Sequence, residues 1–127
     1  MTGYEWGTYL TECSQGAQDQ LYRLGWLADY PSMDNFLNIF QSSVSGTNTF
    51  TFYSNPTVDK LLATARGTLD QTQRLQIYAQ AEKLILADAP VIPLYFYREY
   101  YINDTRVRGQ YIDPMGSLNM NLVWVAK

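Results

Sequence analysis

A chain of 127 residues, 46% apolar and 17% charged, is sized for one small globular domain and is too rich in apolar residues for a disordered segment. A net charge of −3 and nine scattered basic residues, with Arg106 and Arg108 the densest pair, make no phosphate-tracking stripe, so nucleic acid is not an expected partner. Histidine is absent and Cys13 is the one cysteine, which excludes an internal disulfide and any nucleophile pair built on histidine.

Metal ligation would fall to carboxylates and one thiol, and no metal or cofactor is expected. The acidic residues show no spacing that singles out a catalytic pair, so no enzyme activity and no catalytic residue is expected. The longest apolar run, Ala89 to Tyr97, contains Pro90 and Pro93 and is far shorter than the roughly 20 residues of a spanning helix. No signal peptide follows Met1, so the chain is expected to be either cytoplasmic or an excised piece of something longer.

In chain order, Tyr9, Leu10 and Cys13 fall near one helical face between Tyr4 and Ser14, and Gly16 ends that segment. On such a face Cys13 is a packing thiol. Leu21 to Trp26 is short and rich in large side chains, the pattern of a buried strand. Pro31-Ser32 looks like a helix start, with Phe36, Leu37 and Phe40 at helical spacing. Ser42 to Thr51 is polar, contains Gly46 and reads as a loop. Asn55-Pro56 is a cap and first-turn pair, followed by Val58, Leu61, Leu62 and Ala65 on one stripe and Gly67 as the stop. Asp70 with Gln73 resembles a capping box opening a helix to Ala87 that carries Leu75, Tyr78, Ala81, Leu84 and Ile85. These elements predict a compact unit with Trp26, Phe36, Phe40, Leu61, Leu62, Tyr78 and Ile85 buried.

After Pro90 the character changes. Val91 to Tyr97 is β-branched and aromatic and reads as a strand, with Pro93 arguing for an edge or a strand start. Tyr100 to Asn103, Val107 to Ile112 and Leu122 to Val125 are further strand candidates. The class is therefore α/β, with a last quarter of strand that has little helix to cover it. Asn103-Asp104-Thr105 matches a glycosylation sequon and reads as chance.

One stretch resists a purely structural reading. "RLGWLADYPSMDNFL", Arg23 to Leu37, sets Trp26 close to Asp29 and follows them with a proline turn. Together with "YSNPTVDKLL", "TQRLQIYAQAEKLILADAPVIPLYFY" and "RVRGQY", it resembles the C-terminal quarter of the solute-binding proteins of peptide ABC importers, the oligopeptide- and dipeptide-binding family. The likeness runs from "EWGTYL" to the end of the chain. Its ordered motifs make it specific.

The resemblance implies a fragment of a type II periplasmic-binding fold, in which two α/β lobes close on an extended peptide. Residues 1–127 form a single fragment on that map: 4–93 a second-lobe unit, 94–127 a hinge crossing and terminal strands returning to the first lobe. It implies that Asp29 pairs with the α-ammonium of a short peptide and that Trp26 walls a side-chain pocket. Arg23 would reach toward the peptide carboxylate, Tyr97 would face the cleft, and Leu27 belongs to the same ligand-binding set. The partners implied are short peptides and, through a full-length parent, the permease subunits of an ABC transporter. The parent would work outside the cytoplasm, in a periplasm or anchored at the cell surface. The alternative is the same fold binding a nickel chelate, haem or an oligosaccharide. Unpaired strand edges also predict a homodimer of the fragment.

Overall fold

The computed structural model describes residues 3–16, 21–45, 47, 50–113 and 115–127. Its helices begin where the side-chain chemistry says they should. In α1 (Trp6–Ser14) the Glu5 carboxylate accepts from the Gly7 and Thr8 amides, satisfying donors that have no partner within the helix. Ser32 caps the short α2 (Met33–Leu37), which tightens into a 3₁₀ turn at Asn38–Phe40. Asn55 caps α3 (Pro56–Gly67) through the Thr57 and Val58 amides, with Pro56 at the first helical position. Asp70 caps α4 (Gln71–Asp88) through the Gln73 amide. Helix α3 continues through Gly67, and Thr68, not the glycine, takes the cap position. Within the stretch expected to be loop, Ser42–Val44 makes a second 3₁₀ turn, and Gly46 lies outside the described residues.

The short link from Thr68 to Asp70 folds α4 back on α3, and these two helices form the main packing contact. The core lies between them and under α2: Leu37, Val58, Leu62, Ala65, Tyr78, Ala81 and Ile85. Of the side chains expected to be buried, Leu62, Tyr78 and Ile85 are, while Trp26, Phe40 and Leu61 are half-buried. Phe36 is a correction, at 47% exposed. Helix α2 is a single short turn, so only one of two adjacent residues can face the core, and Leu37 takes that place.

Polar ties join the elements around this core. The Asp34 carboxylate takes Arg66 at 2.8 Å and the phenols of Tyr30 and Tyr78 at 3.1 and 3.3 Å. Asp88, at the end of α4, accepts from the Tyr53 hydroxyl at 2.6 Å and the Asn55 amide at 2.8 Å. These two donors lower the Asp88 carboxyl below its ordinary range, Tyr53 contributing most. Burial first, and then the bond to Asp88, pushes the Tyr53 phenol up to about 12.

The strand expectations are corrected in part. Neither Leu21 to Trp26, nor Val91 to Tyr97, nor Tyr100 to Asn103 lies in a strand. A strand exists only by pairing with another, and side-chain propensity supplies no partner. The strands formed are each two residues long and antiparallel: β1 (Val107–Arg108) with β4 (Trp124–Val125), and nested inside them β2 (Tyr111–Ile112) with β3 (Leu118–Asn119). Gly109 separates β1 from β2 at φ +74, and a Cβ there would sit 1.9 Å from the Leu122 carbonyl oxygen. No side chain fits at that crossing.

Two outcomes follow. Leu62→Ala, in the middle of the core, should cost about 2–5 kcal/mol in chemical denaturation, whereas Leu69→Ala, at 96% exposed, should stay within about 0.5 kcal/mol. The second concerns acid. A carboxyl held below its unfolded value contributes stability that is present above the unfolded pKa and is lost as pH falls through the folded one. Tyr53→Phe should therefore lift the Asp88 midpoint toward that of a free aspartate in a carboxyl NMR titration. An unmoved midpoint would assign the depression to Asn55 alone.

Candidate functional site

From Leu21 to Asp29 exposure alternates residue by residue. Leu21, Arg23, Gly25, Leu27 and Asp29 are exposed, and Tyr22, Leu24, Trp26 and Ala28 are half-buried. That is a ribbon with one side on the body and the other open, a period of two that has no strand neighbour among the described residues. Its backbone is held by side chains instead. At the Arg23 end, the Tyr9 hydroxyl from α1 donates to the Arg23 carbonyl at 2.7 Å and accepts from the Arg23 amide at 2.8 Å. One phenol thus serves both polar groups of a residue that a neighbouring strand would otherwise serve. At the Asp29 end, Asn35 from α2, only 2% exposed, accepts the Trp26 indole N–H at 2.9 Å and the Asp29 amide at 3.2 Å. Its amide nitrogen donates to the Asp29 carboxylate at 3.4 Å.

The open side of the ribbon borders a groove of about 290 Å³ lined by Trp6, Arg23, Gly25, Leu27, Tyr97 and Glu99. Arg23 reaches across it, donating to the hydroxyls of Tyr95 at 2.7 Å and Tyr97 at 3.1 Å. The bond to Tyr95 raises the proton affinity of the guanidinium and lowers that of the phenol. Tyr95 and Tyr97 meet edge to face with centroids 5.3 Å apart, and on the other wall Trp6 stacks on Tyr9 at 5.7 Å. Gly25 allows this closeness, since a Cβ there would lie 2.4 Å from the Tyr97 hydroxyl.

Three of the expected site residues, Arg23, Leu27 and Tyr97, therefore share one groove. Trp26 does not line it, because its side chain points to the body and ends on Asn35. Asp29 is exposed at the end of the same ribbon, beyond the groove. Sequence reasoning missed Trp6, Tyr9, Asn35, Tyr95 and Glu99. Tyr9 read as one more aromatic of a helix face, and Asn35 carries no spacing that sets it apart from its neighbours. Only Trp6 carried a signal of its own, as a large aromatic beside a helix cap.

An indole, a phenol, a guanidinium and a carboxylate thus line one groove. Among the described residues no cluster of histidine, cysteine or carboxylate is placed to hold a metal, and no helix is long and apolar enough to cross a membrane. No protein-family model matches the chain. Individual proteins do. The chain is 35% identical, over 97% of its length, to the periplasmic oligopeptide-binding protein OppA of Salmonella typhimurium, of which it spans 22%. It is 32% identical over 90% of its length to the oligopeptide-binding protein OppA of Bacillus subtilis, spanning 21% of that protein. To the dipeptide-binding protein DppE of Bacillus subtilis it is 29% identical over its whole length, spanning 22%. The chain belongs to this family of peptide solute-binding proteins and spans about a fifth of the length of the curated relatives it matches.

Gly25→Ala tests the groove. The added methyl should push Tyr97 aside and break its bond to Arg23, visible as a shift of the Arg23 side-chain signals by NMR. Unshifted signals would mean that Tyr97 has room this geometry does not give it.

Proposed function

We propose that this chain is part of the substrate-binding component of a peptide ABC importer, which captures short peptides outside the cytoplasm and hands them to the membrane permease. One observation carries the reading. A single ribbon presents an exposed carboxylate, Asp29, and a groove of arginine and phenols, in a chain similar along nearly all its length to oligopeptide-binding proteins.

In this reading residues 4–93 belong to the second lobe of a type II periplasmic-binding fold. Residues 94–127 cross the hinge and return toward the first lobe. Asp29 pairs with the peptide α-ammonium, the one cation every free peptide carries. On an open face that pair is screened by water and contributes at most about 1 kcal/mol. Closure of a facing lobe removes the water and strengthens it. Arg23 answers the peptide carboxylate. Its bonds to Tyr95 and Tyr97 aim the guanidinium without neutralising it, because phenols are uncharged partners. Leu27 supplies apolar wall, Trp26 backs the ribbon from the body side, and Tyr97 faces the cleft from the hinge. Apolar side chains left exposed beyond Pro90, such as Leu94, Phe96 and Ile102, are then surface for the first lobe or, in the isolated chain, for a second copy.

Calorimetry on the full-length protein containing this chain tests the reading. Asp29→Asn should weaken trialanine by about tenfold or more, the scale of a lost charge-assisted bond, and leave N-acetyl-trialanine nearly unchanged. Equal losses for the two peptides would make Asp29 a turn residue and return the site to a ligand without an ammonium.

A further inference from the structure

We propose that Asn35 is the positioning residue of the amine site, the group that aims the Asp29 carboxylate; this rests on the peptide-amine reading above. At 2% exposed, Asn35 is the one buried polar side chain among the described residues. Its partners determine which way the amide faces. The Trp26 indole N–H and the Asp29 backbone N–H can only donate, so the atom 2.9 and 3.2 Å from them is the carbonyl oxygen. The nitrogen is thereby turned to Asp29 Oδ2 at 3.4 Å.

One side chain therefore holds both the backbone and the carboxylate of Asp29, and couples them to the Trp26 ring. Among the described residues no donor engages the second oxygen, Oδ1, which is left for an incoming ammonium. The chemistry explains why an amide suits the position. A lysine or arginine there would neutralise Asp29 and compete with the peptide. An acid would repel Asp29 and drive one of the two carboxyls to hold a proton. A neutral donor on a buried stem restrains the carboxylate and leaves its charge intact. Burial also means that aiming costs little entropy on binding, because Asn35 has no freedom left to lose.

The test is a double-mutant cycle in the full-length protein, reading the preference for trialanine over N-acetyl-trialanine. Asn35→Leu, near in volume and unable to hydrogen-bond, should reduce that preference by about tenfold. In an Asp29→Asn background it should reduce it no further, because a residue acting through Asp29 has nothing left to aim. Asn35→Ser, shorter but polar, should act in the same direction and serves if the leucine variant does not fold. If Asn35→Leu or Asn35→Ser weakens both peptides equally, or acts undiminished in the Asp29→Asn background, Asn35 is a structural residue and the proposal fails while the amine site stands. If Asp29→Asn alone leaves the preference unchanged, the amine reading fails first and Asn35 has no site to position.

Discussion

Among the described residues no strand lies beside the ribbon from Leu21 to Asp29, and side chains meet backbone groups of Arg23 and Asp29. The Tyr9 hydroxyl closes on both polar groups of Arg23, and the Asn35 amide closes on Asp29. These two clamps come from α1 and α2 and hold the ribbon near its two ends. They set its pitch, and with it which residues face outward. Because Arg23 is seated by Tyr9, its guanidinium can reach Tyr95 and Tyr97. Asn35, in turn, draws Trp26 inward and leaves Asp29 at the surface. Arg23 and Asp29 are exposed, so each clamp contributes what an ordinary hydrogen bond does, about 0.5–1.5 kcal/mol, and its value is directional.

The clamps are only as firm as their supports. Helix α2 is too short to stand alone, and its position comes from Leu37 in the core and from Asp34, tied to Arg66 of α3 and Tyr78 of α4. The pair α3 and α4 is thus the rigid body, α2 its outrigger, and Asn35 the point where the outrigger meets the ribbon. This layering keeps the chemistry on a surface edge while the cohesion lies behind it. The Asp34–Arg66 bridge is partly open to water and contributes modestly as an ion pair. Its value is directional, since it fixes the turn that carries Asn35.

The same logic explains what could be read along the chain and what could not. The helices α3 and α4 were legible because their signals are local: Asn55-Pro56 and Asp70-Gln73 satisfy donors within a few residues, and Val58, Leu62, Tyr78 and Ile85 repeat on one face. The strand expectations after Pro90 failed where they depended on a distant partner. Val91 to Tyr97 has strand-like side chains, yet among the described residues no backbone pairs with it. β3 carried too little pattern to be noticed, because its two residues are defined only by pairing with β2.

For the site, the residue types were determined by the sequence alone: a tryptophan, an arginine and an aspartate within a few positions, and a tyrosine much later. So was the family, since ordered motifs survive without coordinates. Tertiary structure decided which of these meet. It put Arg23, Leu27 and Tyr97 in one groove, turned Trp26 away from it, and brought in Trp6, Tyr9, Asn35 and Glu99 from places with no spacing rule to announce them. The physical reason is the range of the forces. Caps and helical stripes act over a few residues and are written in order. A phenol bonding a backbone 14 residues away, or a guanidinium bonding a phenol 72 residues away, exists only once packing has brought them together.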